Sequence, residues 1–78
     1  MTLPLMGSHL KNIELLRQIT TKLKSLREEK GLTQEDVYND TGIHISRIER
    51  SKVNITVSTL SALCDYFDIK LSDFLKGI

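Results

Sequence analysis

The sequence predicts an all-α domain of five short helices. Three observations carry that prediction. Apolar residues recur at steps of three and four, the spacing that builds one stripe on a helix. Threonines suited to capping, Thr33 and Thr56, precede two of those stretches, and glycines at 31 and 42 follow two. No run alternates with the period of a strand, and the short apolar groups Ile13–Leu16 and Ile69–Leu71 have helical spacing instead.

The first helix is expected from Asn12 to Lys30, with Ile13, Leu16, Ile19, Leu23 and Leu26 on one side. Thr20 and Thr21 are a weak point, so the stretch reads as one helix or as two with a kink. Gly31 supplies the stop, beside the basic Lys30. Thr33 can accept from the free N–H groups of the next turn, and Glu35 and Asp36 then lie where the helix dipole favours negative charge. Val37 faces inward, and Thr41-Gly42 ends the second helix. The third is basic: Ile45 and Ile48, joined by Ile43, face the core, while Ser46, Arg47, Glu49, Arg50 and Lys52 occupy the other side. Val53-Asn54-Ile55 is a loop. Thr56 caps a fourth helix with Val57, Leu60, Leu63, Cys64 and Phe67 on one face. A short fifth helix after Asp68 presents Leu71, Phe74 and Leu75.

At 78 residues the chain has room for one small domain. It is 40% hydrophobic and 27% charged, a globular balance and not a disordered one. Residues 1–11 are expected to be a flexible N-terminal tail, in which Met6-Gly7-Ser8-His9 reads as an internal start or an expression remnant. Residues 12–78 form the single domain. The lone cysteine cannot close an internal disulfide, so nothing requires an oxidising compartment. There is neither a signal segment nor an apolar run near the roughly 18 residues that span a membrane, so a cytoplasmic address is expected. The net charge of +1 is unevenly spread. Residues 1–30 carry six Lys or Arg against three acids, and residues 31–43 carry three acids and no base. Residues 44–54 carry Arg47, Arg50 and Lys52 against Glu49 alone. That local excess favours phosphate without making the protein strongly basic.

A capped acidic helix, a glycine break and a short basic helix, in that order from Lys30 to Arg50, are the sequence signature of a helix-turn-helix. Leu26-Arg27 with Lys30-Gly31-Leu32-Thr33-Gln34-Glu35, then Ile45-Ser46-Arg47-Ile48-Glu49-Arg50, then Thr59-Leu60 through Phe67 with Ile69 and Phe74, together resemble the lambda-repressor/Cro-like, Xre-type helix-turn-helix domains. The resemblance covers roughly Ile19 to Leu75. It implies a compact five-helix lambda-repressor-like DNA-binding domain, usually a homodimer, whose third helix enters the major groove of double-stranded DNA while the second crosses the backbone. Gln34 matches the family's phosphate-holding glutamine. Ser46, Arg47 and Arg50 match outward positions of the recognition helix, where an arginine can make two parallel bonds to guanine. Lys52 and Asn54 are placed for phosphates at its far end. His44 is the only polar side chain left before Ile45. It is open between a base or phosphate contact, a helix cap and an exposed side chain.

Three departures from the family pattern stand out. Between Gly42 and Ile45 the chain is three residues shorter than the family's usual spacing, which is nearly one helical turn, about 300° of rotation. Facing is almost preserved, but the first turn of helix three is lost. Tyr38 stands where the family favours alanine, and is expected to fill the vacated space or to shield a helix that starts late. Ser51 and Ile55 replace a capping glycine and a common proline.

Arg47, Arg50 and Lys52 could form an ordinary solvated face. Glu49 reads as structural, pairing with Arg27 or Lys30 in a surface pair contributing ~0.5 kcal/mol. Cys64 reads as a small buried hydrophobe. His9 and His44 lack neighbours at ligand spacing, so no metal is expected. No nucleophile–base spacing or phosphate loop is present, so neither an enzyme, a cofactor nor a small-molecule pocket is expected. The function that follows is a sequence-specific DNA-binding transcriptional regulator, a repressor-type dimer inserting the helix around 44–51. The alternative is an antitoxin-like or adaptor module that binds protein, with the apolar N-terminal stripe as its partner surface.

Overall fold

The computed structural model describes residues 12–50 and 54–78. The expected tail, and Ser51, Lys52 and Val53, lie outside the described residues. Five helices follow in order: α1 (Ile13–Glu29), α2 (Gln34–Thr41), α3 (Ile45–Glu49), α4 (Val57–Tyr66) and α5 (Leu71–Leu75). No strand occurs among the described residues.

α1 is one uninterrupted helix, so Thr20 and Thr21 do not break it. Thr20 is buried, and its hydroxyl donates to the Arg17 carbonyl at 3.1 Å, keeping its polar atom within the helix. Asn12 opens α1 by accepting from the Leu15 N–H at 3.0 Å. Gly31 closes it at φ +69°, a left-handed conformation that glycine adopts without a Cβ penalty. The Gly31 and Leu32 N–H groups donate back to the Glu28 and Arg27 carbonyls, which satisfies the last turn in a Schellman arrangement.

α2 starts with a reciprocal capping box. Thr33 Oγ1 accepts from the Asp36 N–H at 3.0 Å, and Asp36 Oδ2 accepts from the Thr33 N–H at 2.9 Å. The Thr33 N–H, and then the Thr33 hydroxyl, hold the Asp36 carboxyl below its ordinary range. At the other end Gly42 is left-handed at φ +76°. The Thr41 hydroxyl donates to the Val37 carbonyl at 2.7 Å and accepts from the Ile43 N–H at 3.0 Å, pinning the turn into α3.

Ile19, Leu23, Val37, Ile45, Ile48, Leu60, Leu63, Cys64, Phe67 and Phe74 form one core to which every helix contributes. Leu26, Leu32, Ile43, Ile55, Tyr66, Ile69 and Leu71 pack around it. α3 packs on α1 and α2, and α4 packs on α5. Burial pushes the Cys64 thiol above its ordinary pKa, in keeping with a small hydrophobe. Lys22 ties the C-terminal end of α5 to α1. Its ammonium donates to the Phe74 carbonyl at 2.6 Å and the Lys76 carbonyl at 3.3 Å, and stands 5.2 Å from the Phe74 ring centroid.

Three residues expected on the core stripes are exposed instead. Ile13 and Val57 each open their helix, a turn before the stripe meets the core, and are 62% and 72% exposed. Leu75 sits at the last position of α5, next to the fully buried Phe74 but turned to solvent. Tyr38 does not fill interior space either: it is 44% exposed.

Candidate nucleic-acid interface

α3 is only five residues long, and the short Gly42–Ile45 spacing explains why. One turn after Gly42 the chain is already at the buried Ile45, so the helix begins directly at its core contact. Ile45 and Ile48 fix its inner side. Five residues cannot sustain a helix alone, since isolated helices below about 12 residues are marginal in water. Side-chain contacts at both of its ends supply further support.

At the C-terminal end, Glu49 is the hub. Its carboxylate accepts from Arg27 Nε at 2.7 Å and Arg27 Nη2 at 3.1 Å, a two-pronged pair linking α3 to α1. Arg27 also donates from Nη1 to the Leu32 carbonyl at 2.7 Å. The two side chains are 11% and 4% exposed, so this is a buried pair and not the surface pair expected from sequence. The hydrogen bonds to Glu49 raise the Arg27 guanidinium pKa further, against an opposing effect of burial. Gln34, first residue of α2, donates from Nε2 to Glu49 Oε1 at 2.8 Å. One carboxylate therefore joins three helices.

At the N-terminal end, His44 occupies the capping position of α3, but its imidazole makes no capping bond. It stacks instead on Tyr38, with ring centroids 4.5 Å apart and planes 30° apart. Of the two expected roles for Tyr38, the ring thus covers the start of a late-beginning helix.

The outer face of α3 carries the half-buried Ser46 and the exposed Arg47, and the exposed Arg50 caps its C-terminal end. Neither arginine is paired with an acid among the described residues. Asn54 is exposed and lines a surface cavity of about 190 Å³ with Leu15, Leu16, Ile19 and Ile55 near the start of α1. Lys52 lies outside the described residues. Two of the three acids of α2 have other partners: Asp36 caps its own helix, and Asp40 accepts from the Tyr66 hydroxyl at 2.5 Å, while Glu35 is exposed in the first turn. Among the described residues, no group of three or more His, Cys, Asp or Glu side chains is placed to hold a metal. An open depression of about 430 Å³ is lined by Asp65, Asp68, Ile69, Lys70 and Asp73, and no residue of α3 borders it.

Two short helices packed on each other across a left-handed glycine turn, with exposed arginines along the second, are the arrangement of a helix-turn-helix. A helix-turn-helix family model matches residues 23–74. The chain belongs to the lambda-repressor-like, Xre-type helix-turn-helix family, a family of DNA-binding transcriptional regulators. It is 30% identical over 64 residues to the HTH-type transcriptional regulator DdrOP3 of Deinococcus deserti, an alignment that covers 78% of this chain and 50% of the relative. The chain thus spans about half the length of that curated relative. No solved structure matches. No helix among the described residues is long and apolar enough to cross a membrane.

Two contributors to the site escaped the sequence reading. The Tyr38–His44 stack joins residues on either side of the turn. The Gln34–Glu49 bond joins the start of α2 to the end of α3. The signal for both was available: Gln34 and Tyr38 are four apart, and so share a face of α2.

Proposed function

We propose that this chain is a sequence-specific DNA-binding transcriptional regulator of repressor type, acting as a homodimer. In this reading α3 enters the major groove, and Ser46, Arg47 and Arg50 face base edges and nearby phosphates. Gln34, Lys52 and Asn54 hold the backbone, and His44 contacts DNA from the front of α3. One observation carries the reading. Arg47 on α3 and Arg50 at its C-cap are exposed without an acidic partner among the described residues, and the opposite side of the helix is locked by Ile45, Ile48 and the Arg27–Glu49–Gln34 network. Rigid presentation of free guanidinium groups suits bidentate recognition of guanine. Family membership and the printed name of the Deinococcus relative support the same function. A cytoplasmic location and a near-palindromic site with half-sites about 34 Å apart go with it.

The test is selection from a genomic DNA pool at two salt concentrations. Enrichment of a near-palindrome, with binding weakened by salt, is the expected result, because phosphate contacts release counterions. Binding that neither selects sequence nor responds to salt would count against it. The five-residue α3 favours a second reading, an adaptor or antitoxin-like module that binds protein. Capture of a single protein partner with no DNA enrichment would select that reading.

A further inference from the structure

The outward edge of α2 touches α3 at both of its ends. Gln34 meets Glu49 at the end of α3, and Tyr38, one turn further along α2, meets His44 at its start. The Arg47 N–H donates to the His44 carbonyl at 3.1 Å, which sets the two residues side by side at the start of α3. Tyr38, His44 and Arg47 therefore form a continuous exposed strip across the turn.

Two features distinguish this strip from ordinary surface. Neither the Tyr38 hydroxyl nor the His44 imidazole is engaged in a hydrogen bond among the described residues, whereas the hydroxyl of the other tyrosine, Tyr66, is committed to Asp40. Moreover, the two acids nearest to Tyr38 in sequence are engaged away from the strip, Asp36 in capping its own helix and Asp40 with the Tyr66 hydroxyl. The strip also lies where the shortened turn has removed the front of α3, the part of a reading helix that enters the groove first.

We propose that Tyr38 and His44 form a composite DNA-contacting element that replaces the missing first turn of α3. The Tyr38 hydroxyl donates to a phosphate oxygen, a common role for tyrosine at DNA. Its ring meanwhile braces the imidazole, so that a His44 nitrogen faces a base edge in the major groove. Tyr38 is then both an affinity residue and, through His44, a positioning residue for sequence preference. This inference rests on the DNA-binding reading above.

The experiment uses the full chain, the duplex enriched in the pool selection, and a panel of that duplex with single base pairs replaced. Tyr38→Phe keeps the stack and loses the hydroxyl. Affinity should fall on the order of tenfold for every duplex, with the base-preference profile unchanged. His44→Ala should flatten the profile at one position of each half-site. Tyr38→Ala should do both. The partial exposure of Tyr38 keeps its folding cost small, and a melting curve verifies that. If Tyr38→Ala does not fold, Tyr38→Phe and His44→Ala decide the matter. The proposal is overturned if Tyr38→Phe binds as tightly as wild type, or if His44→Ala leaves the profile unchanged. A wild-type chain that selects no duplex defeats the DNA-binding reading itself. A wild type that selects DNA while its Tyr38 and His44 variants behave like it defeats only the composite element.

Discussion

Arg27 of α1 grips Glu49 of α3 through two of its nitrogens, at 2.7 and 3.1 Å, with both side chains almost fully out of solvent. Removing one partner leaves the other charged and buried. Glu49→Ala or Arg27→Ala should therefore cost ~3–5 kcal/mol. A 78-residue domain has roughly 4–12 kcal/mol in total, so either variant approaches the limit of folding. Replacing both with apolar residues, Arg27→Met with Glu49→Leu, should recover most of that loss. Urea denaturation of the three variants checks it, and a double variant less stable than either single would contradict it.

The capping box gives acid sensitivity with a defined sign. The Asp36 carboxyl is held below its unfolded value by the Thr33 N–H and then by the Thr33 hydroxyl. A carboxyl depressed in the folded state stabilises above the unfolded pKa, and that contribution is lost as pH falls through the lower folded value. Asp36→Asn should thus melt below wild type at neutral pH, and the gap should close in acid below the ordinary aspartate range. Thr33→Ala should cost about 1 kcal/mol at neutral pH.

At the alkaline end the reporter is Tyr66. Its bond to Asp40 pushes the phenol up to about 12 from an ordinary 10.0. A phenol raised in the folded state contributes stability below the unfolded pKa, lost as pH rises through the folded one. The window is therefore pH 10 to about 12. Ultraviolet titration should show one tyrosine ionising late, and Asp40→Asn should bring that transition back towards the ordinary value.

On DNA, the two kinds of cation should separate. Arg47→Ala should relax preference at one base pair, changing discrimination by ~1–3 kcal/mol. Lys52→Ala should weaken all duplexes alike and reduce the salt dependence by about one counterion. Identical behaviour of the two variants on a substituted-duplex panel would refute the division of roles.

What could be read from the chain follows from which interactions are local. Thr33, Gly31 and Gly42 announce helix ends because capping and left-handed turns depend on neighbours within four residues, and each does so in the structure. The stripe through Leu16, Ile19 and Leu23 also reads directly, because period reports burial wherever the core extends. Val57 and Ile13 fail for the complementary reason: they are in phase with the stripe but lie past the edge of what it packs on. Glu49 was expected to find Arg27 or Lys30, yet nothing in the spacing reveals that the pair is enclosed, or that Gln34 joins it. Those facts depend on how three helices meet. The late start of α3 was legible as a missing turn. The residue that compensates for it was legible only as a bulky departure from alanine, and the stack with His44 needed coordinates.

The Thr41 hydroxyl, bonded to both Val37 and Ile43, removes the slack from the one joint at which α2 and α3 could hinge. With Gln34 tied to Glu49 at the opposite end, the two helices form a closed frame, fastened at both corners. Such a frame resists re-aiming one member while leaving the other in place. In the proposed DNA-reading role, changes of preference should therefore arise by exchanging side chains on a fixed chassis, and attempts to lengthen or re-aim α3 should first fail as losses of folding.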